Sequence, residues 1–254
     1  MSLLDVTGVV LNRRDVREDS RLYTIFTHER GKLEVFGRGI RKGKAKLGGH
    51  LEPGATVRVT LAQGKTGETI TAVERDHYPV ATMASLTHLA SLGFTLSLVD
   101  AITKPDAPDP SLASFLQEAI GTLEHLDGEP DDHSRFRMWV AWHVLDRSGH
   151  SPELERCVHC RNALPVDDVR FSATLGGFLG PECTTADPAA KGVSAGVRSN
   201  IRQFVRSAWP ELPAFPPERD VERTVADLTR LAMDHVLERR LPAERFVQFA
   251  RALS

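Results

Sequence analysis

The hydrophobic period of this chain changes once, at Pro79, and that change limits the folds open to it. Before it, apolar residues alternate in five short runs: Gly8-Val-Val-Leu-Asn, Leu22-Tyr-Thr-Ile-Phe-Thr, Lys32-Leu-Glu-Val-Phe, Thr56-Val-Arg-Val-Thr-Leu and Glu68-Thr-Ile-Thr-Ala-Val. β-Branched and aromatic residues fill these runs, and Gly, Pro or charged turns separate them, as expected of strands. The turn Glu29-Arg30-Gly31 joins the second and third, and Gly64-Lys-Thr-Gly reads as the hairpin tip between the last two. Five strands in fewer than 80 residues predict a small closed barrel. The five-stranded OB-fold is an oligonucleotide binder of that size, and an SH3-like barrel would read almost the same.

After Pro79 the spacing is helical. Met83, Leu86, Leu89, Ala90 and Phe94 share one face, and Lys104-Pro-Asp-Ala-Pro-Asp-Pro ends that segment. Asp109 is placed to cap a second helix with Pro110 in its first turn, burying Leu112, Phe115, Leu116, Ala119, Ile120, Leu123 and Leu126. A third helix over residues 132–148 presents Phe136, Trp139, Val140, His143 and Val144 before Gly149 stops it. Ser194 would cap a helix carrying Val197, Ile201, Phe204 and Val205. A Pro-rich break at 209–217, a longer helix over 218–240 and a short one after Pro242 complete the chain. The fold class is therefore α+β. The expected organisation is a barrel at 1–79, helices at 80–150, a cysteine-bearing insertion at 151–192 and further helices at 193–254.

At 254 residues the chain exceeds the common domain size of roughly 100–150 residues, so more than one compact unit is expected. No apolar run approaches the roughly 18 residues that cross a bilayer, and MSLLDVTGVV lacks a basic n-region, so a cytoplasmic protein without a membrane partner is expected. The net charge of −2 conceals an asymmetry. Residues 12–46 hold eleven Lys/Arg against five Asp/Glu, whereas residues 100–132 hold nine Asp/Glu against Lys104 alone. The basic end is the better nucleic-acid surface. Arg38, Arg41, Lys42, Lys44 and Lys46 fall within nine residues, with no acidic neighbour and with glycines that let backbone approach phosphates. With Arg14 and Lys32 they form the candidate DNA contacts, acting through counterion release. The plainer reading of the loop is a solvated segment that serves solubility. Tyr23, Phe26 and Phe36 have the chemistry to stack on bases, but their strand spacing favours the barrel core.

Cys157-Val-His-Cys160 is followed after nineteen residues by Gly180-Pro-Glu-Cys183. A zinc ribbon has C-x2-C at both places, because two such turns bring four thiolates to the corners of a tetrahedron. Here Gly180 stands where the third thiol belongs. Cys157, Cys160 and Cys183 are thus candidate ligands of a structural zinc, with His159, Glu182, Asp187 or a water open as the fourth. In the alternative, packing of Phe171, Phe178 and Leu179 replaces the metal. A catalytic zinc of the deaminase type would need an upstream H-x-E, and Arg156 stands where that motif has Pro. An odd cysteine count also argues against a secreted disulfide framework.

Other chemistries are absent or incomplete. Gly37-x-Gly39-x-x-x-Gly43 has one residue too many for a dinucleotide fingerprint, and Gly64-Lys65-Thr66 has Val59 where a P-loop needs glycine. G-x-S-x-G and H-E-x-x-H do not occur. His143 on an apolar face reads as a satisfied core histidine. No acid–base pair can be assembled, and a non-enzymatic role is expected.

Thr7-Gly-Val-Val-Leu-Asn, Asp19-Ser-Arg-Leu-Tyr-Thr-Ile-Phe-Thr-His-Glu-Arg-Gly-Lys-Leu and Gly39-Ile-Arg-Lys-Gly-Lys-Ala-Lys-Leu resemble the N-terminal signature of the bacterial RecO recombination mediators. Leu51-Glu-Pro-Gly, the Cys157-x-x-Cys160 segment with Gly176-Gly-Phe-Leu and, more weakly, His235-Val-Leu-Glu-Arg-Arg-Leu-Pro extend the resemblance. It implies an OB-fold, a helical domain and a zinc-finger insertion. It also implies a nucleoid-associated, non-enzymatic protein that binds single- and double-stranded DNA and anneals complementary strands. Its partners would be RecR and single-strand-binding protein, with RecA loading as the outcome. The family pattern has four thiols, so Gly180 is a departure from it. A scaffold whose barrel docks acidic protein tails, without DNA binding of its own, is the alternative.

Overall fold

The computed structural model describes residues 3–17, 20–38, 48–64, 67–127, 129–212, 219–238, 240–241, 243–244 and 246–248. The chain divides into two compact units, residues 1–133 with 241–254, and residues 134–240.

The first unit contains the barrel. Its strands are β1 (Leu3–Arg17), β2 (Ser20–Thr27), β3 (Gly31–Gly37), β4 (Thr56–Gly64) and β5 (Gly67–His77), closed in the order β1-β2-β3-β5-β4. This is the five-stranded OB arrangement: antiparallel throughout except where β3 meets β5 in parallel at Phe36↔Thr69. β1 is three times the length that apolar alternation suggests, because it serves two neighbours. Residues 3–9 pair with β4 and residues 8–17 pair with β2. Irregularities between Val10 and Asn12 and between Asp15 and Arg17 bend it around the barrel and break the alternation. Val6, Val10, Tyr23, Ile25, Leu33, Val35, Leu51, Val57, Val59, Leu61 and Ile70 fill the interior.

Three helices follow: α1 (Leu86–Ile102), α2 (Pro110–Glu124) and α3 (Pro130–Arg147), the last running on into the second unit. Helix α1 starts later than the apolar spacing suggests. Met83 lies in a preceding 3-10 turn, and Ser85 caps the helix by accepting from the Thr87 N–H at 3.2 Å. Asp109 caps α2 as expected, its carboxylate accepting from Leu112 N–H at 2.9 Å, and the predicted apolar face from Leu112 to Leu123 is buried.

In the second unit, α3 ends at Arg147, and Gly149, at a φ of +81°, turns the chain away from the helix. A small sheet, β6 (Val169–Ser172), β7 (Gly177–Leu179) and β8 (Lys191–Val193), has the order β7-β6-β8. Helices α4 (Ala195–Arg206), capped by Ser194, and α5 (Arg219–Leu237) follow. Residues 213–217 of the expected Pro-rich break, the expected helix start at 218 and much of the expected short helix after Pro242 lie outside the described residues. Trp139 and Trp142 anchor the core, donating from their indole N–H groups to Ser207 O (3.1 Å) and Thr229 Oγ1 (2.9 Å).

His143 behaves as a satisfied core residue. Its Nε2 donates to Ser207 O at 3.0 Å and its Nδ1 accepts from the Arg147 guanidinium at 2.7 Å, which defines a neutral imidazole. Burial holds its pKa below the ordinary 6.5, the Ser207 carbonyl opposing and the Arg147 charge reinforcing this. As pH falls, the unfolded chain therefore takes up a proton before the folded chain does. The contribution of neutral His143 is complete above 6.5 and is lost as pH falls through the folded value. Urea midpoints measured across this range are expected to decline in acid for the wild type, and His143→Gln is expected to flatten that decline.

Candidate nucleic-acid interface and metal centre

The barrel's outer charges differ in how firmly their partners hold them. Alternation along a strand sends every second side chain outward, so the hydrophobic pattern that fills the barrel also delivers Arg14, Arg21 and Glu34 to its surface. Arg21 is held by Asp15 at 2.8 Å, a carboxylate that raises its already high pKa, and Arg13 is held by Glu52. Arg14 is two-thirds exposed and meets Glu34 only at 3.4 Å, an exposed pair of small energetic weight that a phosphate can displace. Arg38 is exposed at the end of β3. Its guanidinium reaches the β4–β5 hairpin tip, 3.9 Å from where a Cβ at Gly64 would stand. Arg41, Lys42, Lys44 and Lys46 lie outside the described residues. Tyr23 and Phe26 are fully buried, so neither presents a face for base stacking; Phe36 is half-buried beneath Gly67.

Lys32 has a different environment. Its side chain is only 14% exposed, and its ammonium donates to the Asp100 carbonyl at 2.6 Å and to the Asp100 carboxylate at 3.3 Å. Arg30, in the turn before it, bridges Glu68 on β5 at 2.5 Å and Asp106 in the linker after α1. The Asp106 N–H donates to Lys32 O at 3.0 Å. Gly31 between them has a φ of +71°, and a Cβ there would stand 2.0 Å from Ala107 O. The β2–β3 turn is thus clamped onto residues 100–107. Sequence reading missed Arg30 because its partners are 38 and 76 residues away and no local pattern marks them.

The cysteines converge. The Sγ atoms of Cys157, Cys160 and Cys183 lie within 4.8 Å of one another. Metal–sulfur bonds of about 2.3 Å in a tetrahedron set neighbouring sulfurs roughly 3.8 Å apart, a separation that falls within this limit, so the three thiols could hold an ion. The first turn closes by Arg161 N–H to Cys157 O (2.9 Å), with Arg161 at a φ of +64° where glycine would be unstrained. The second turn survives without its thiol, Cys183 N–H donating to Gly180 O at 3.0 Å. Burial alone would raise the Cys157 thiol, but the N–H groups of Cys160, Gly180 and His159, with the Cys160 thiol, bring it down to about 6. Cys183, hydrogen-bonded to the other two sulfurs and desolvated, is pushed up to about 11.

Among the described residues, His159, Glu182 and Asp187 fall outside this cluster. The Asp187 carboxylate is taken by Ser172 Oγ at 2.5 Å and Ala189 N–H at 2.9 Å. Phe171 and Phe178 pack edge to face at 5.3 Å beneath the sheet, so packing and thiols contribute together. Arg198 on α4 was another residue invisible to motif reading. It is 8% exposed and donates to Leu154 O (3.1 Å) and Pro165 O (2.5 Å), holding the cysteine segment to the helix. Its one sequence signal is a position on the apolar face of an amphipathic helix.

A closed five-stranded barrel of OB type, a basic run that follows β3 in the sequence, a helical remainder and a cysteine cluster match the organisation of DNA repair proteins of one family. The chain matches the family model for the recombination protein O N terminal over residues 1–77 and that for the recombination protein O C terminal over residues 83–245. It is 31% identical over 252 residues to a DNA repair protein RecO of an Anaeromyxobacter species, covering 96% of this chain and 95% of the relative. It is 28% identical over 241 residues to the DNA repair protein RecO of Desulforudis audaxviator, covering 94% of each. The corresponding protein of Symbiobacterium thermophilum is 26% identical over 258 residues, covering 99% of each. The chain belongs to the RecO family of DNA repair proteins. No helix among the described residues is long and apolar enough to cross a membrane.

Lys32 and Arg14 should separate in stability measurements. Lys32→Met, which strands the Asp100 carboxylate, is expected to cost about 1–3 kcal/mol in urea denaturation, whereas Arg14→Ala should stay within about 0.5 kcal/mol.

Proposed function

We propose that this protein is a non-enzymatic recombination mediator whose barrel rim grips DNA phosphates. It binds single- and double-stranded DNA and anneals complementary strands. With RecR it promotes RecA loading on DNA coated by single-strand-binding protein. The observation that carries this reading is the exposed Arg38 at the root of the 38–46 basic run, beside the β4–β5 tip on a closed OB barrel. Arg14 adds a displaceable cation, and Arg41, Lys42, Lys44 and Lys46 supply the rest. Lys32 acts at one remove, by fixing the β2–β3 hairpin that also carries Arg38 at its far end.

Annealing follows from charge. Two strands repel until several cations neutralise their backbones together, and a run of Arg, Lys and Gly supplies those cations without reading bases. Such binding is sequence-tolerant and falls steeply with salt. Replacing Arg38, Arg41, Lys42, Lys44 and Lys46 with alanine is expected to weaken single-stranded oligonucleotide binding and flatten its salt dependence in fluorescence anisotropy. An unchanged slope removes the loop from the interface. Performing the titration with no protein partner also separates this reading from a pure scaffold, which would bind no DNA alone.

We further assign the Cys157, Cys160 and Cys183 cluster as a structural zinc site. The ion would tie the two turns of the insertion together, a stabilising rather than catalytic role. Treatment with a chelator is expected to lower the Tm of the wild type and to leave that of a Cys157→Ser, Cys183→Ser double variant unmoved. Equal Tm before and after chelation of the wild type would assign the insertion's stability to packing alone.

A further inference from the structure

We propose that the first turns of α4 and the segment before β6 form a binding pocket for a small monocarboxylate with a short apolar body. Arg198 and Arg202 hold its charge, and Leu164, Pro165 and Val166 hold its body.

The pocket has a volume of about 270 Å3 and lies wholly in the second unit. Arg198 and Arg202, one turn apart on α4, both line it, together with the Ser199 hydroxyl side chain. No acidic side chain among the described residues lines it; Asp167 and Asp168, which follow Val166 in the chain, stand outside the lining.

Positive charge here is under-compensated. Helix α4 carries Arg198, Arg202 and Arg206 and no Asp or Glu. Glu155 answers two of the three, its Oε2 accepting from Arg202 and its Oε1 from Arg206, each at 3.0 Å, so both its oxygens are spent. Arg198 is 8% exposed and meets carbonyls instead, Nε donating to Leu154 O at 3.1 Å and Nη1 to Pro165 O at 2.5 Å. Its Nη2 has no acceptor among the described residues and is not sealed from solvent. Two carbonyls satisfy hydrogen-bonding directions but leave the charge unneutralised. Burial, reinforced by the Arg202 charge and opposed by Glu155, holds the Arg198 pKa below its ordinary value. A cation so placed is costly until an anion meets it.

A guanidinium edge selects an oxyanion. The rest of the lining selects among oxyanions. Val166 is 73% exposed, an apolar side chain that an alkyl group would cover. A phosphate dianion would leave strongly hydrated oxygens against this hydrocarbon, whereas a monocarboxylate sets both oxygens on the arginines and its alkyl group on the wall.

The test is nuclear magnetic resonance on the full chain, isotope-labelled on arginine nitrogens and titrated at constant ionic strength with isovalerate. The Nε–H groups of Arg198, bonded to Leu154 O, and of Arg202, buried, are sheltered from exchange with water and so observable. Both cross-peaks are expected to move saturably with isovalerate and to ignore its neutral isostere, isovaleramide. Arg198→Gln would strand two carbonyls and could unfold the segment, so the deciding variant is Val166→Asp, which sets a fixed carboxylate at an exposed wall position. It is expected to raise the half-saturating isovalerate concentration about tenfold or more. Stationary wild-type cross-peaks, an equal response to isovaleramide, or an unaltered half-saturation in Val166→Asp would overturn the proposal. Inorganic phosphate moving the same peaks at lower concentration than isovalerate would overturn the carboxylate class.

Discussion

The clamp between the β2–β3 turn and residues 100–107 is the interaction on which the first unit depends. A small barrel and a set of helices share no continuous secondary structure, so each must find its place through side chains. Here one glycine, one lysine and one arginine supply the joint. Gly31 lets the turn approach Ala107 more closely than any side chain would permit, Lys32 inserts its ammonium against Asp100, and Arg30 ties Glu68 to Asp106. The ions are partly buried, which makes removal of one partner costlier than the pair's net worth suggests. The same hairpin carries β3 and, at its far end, Arg38, where the basic run begins in the sequence.

Much of this was legible in the chain. The switch of period at Pro79, the Asp109 and Ser194 caps and the Gly149 stop each rest on local chemistry, and local chemistry can be read residue by residue. The barrel's strand count came through for the same reason. What stayed hidden was non-local. The length of β1 depends on its serving two partners through bulges, the role of Lys32 depends on Asp100, and that of Arg198 on two carbonyls in a different segment. A lysine in a strand beside a basic loop carries the same sequence signature whether it faces solvent or a neighbouring helix. Only the fold separates the two.

The cysteine segment keeps its geometry with three thiols where a zinc ribbon has four. Both turns keep their backbone hydrogen bonds, the three remaining sulfurs stay together, and the Phe171–Phe178 pair supports the sheet beneath them. Ligand spacing in the sequence located the site and its defect together. It could not decide among His159, Glu182 and Asp187, because that choice depends on side-chain direction, and in the folded chain the Asp187 carboxylate is already engaged by Ser172 and the Ala189 N–H.

Gly180 itself has a consequence at the level of descent. Because its backbone conformation and surroundings accept a Cβ, the fold imposes no selection for glycine at this position. A GGT or GGC codon becomes a cysteine codon by a single base change, and the reverse step is equally short. The three-sulfur and four-sulfur forms of this insertion are therefore adjacent in sequence space, with no repacking to block passage between them.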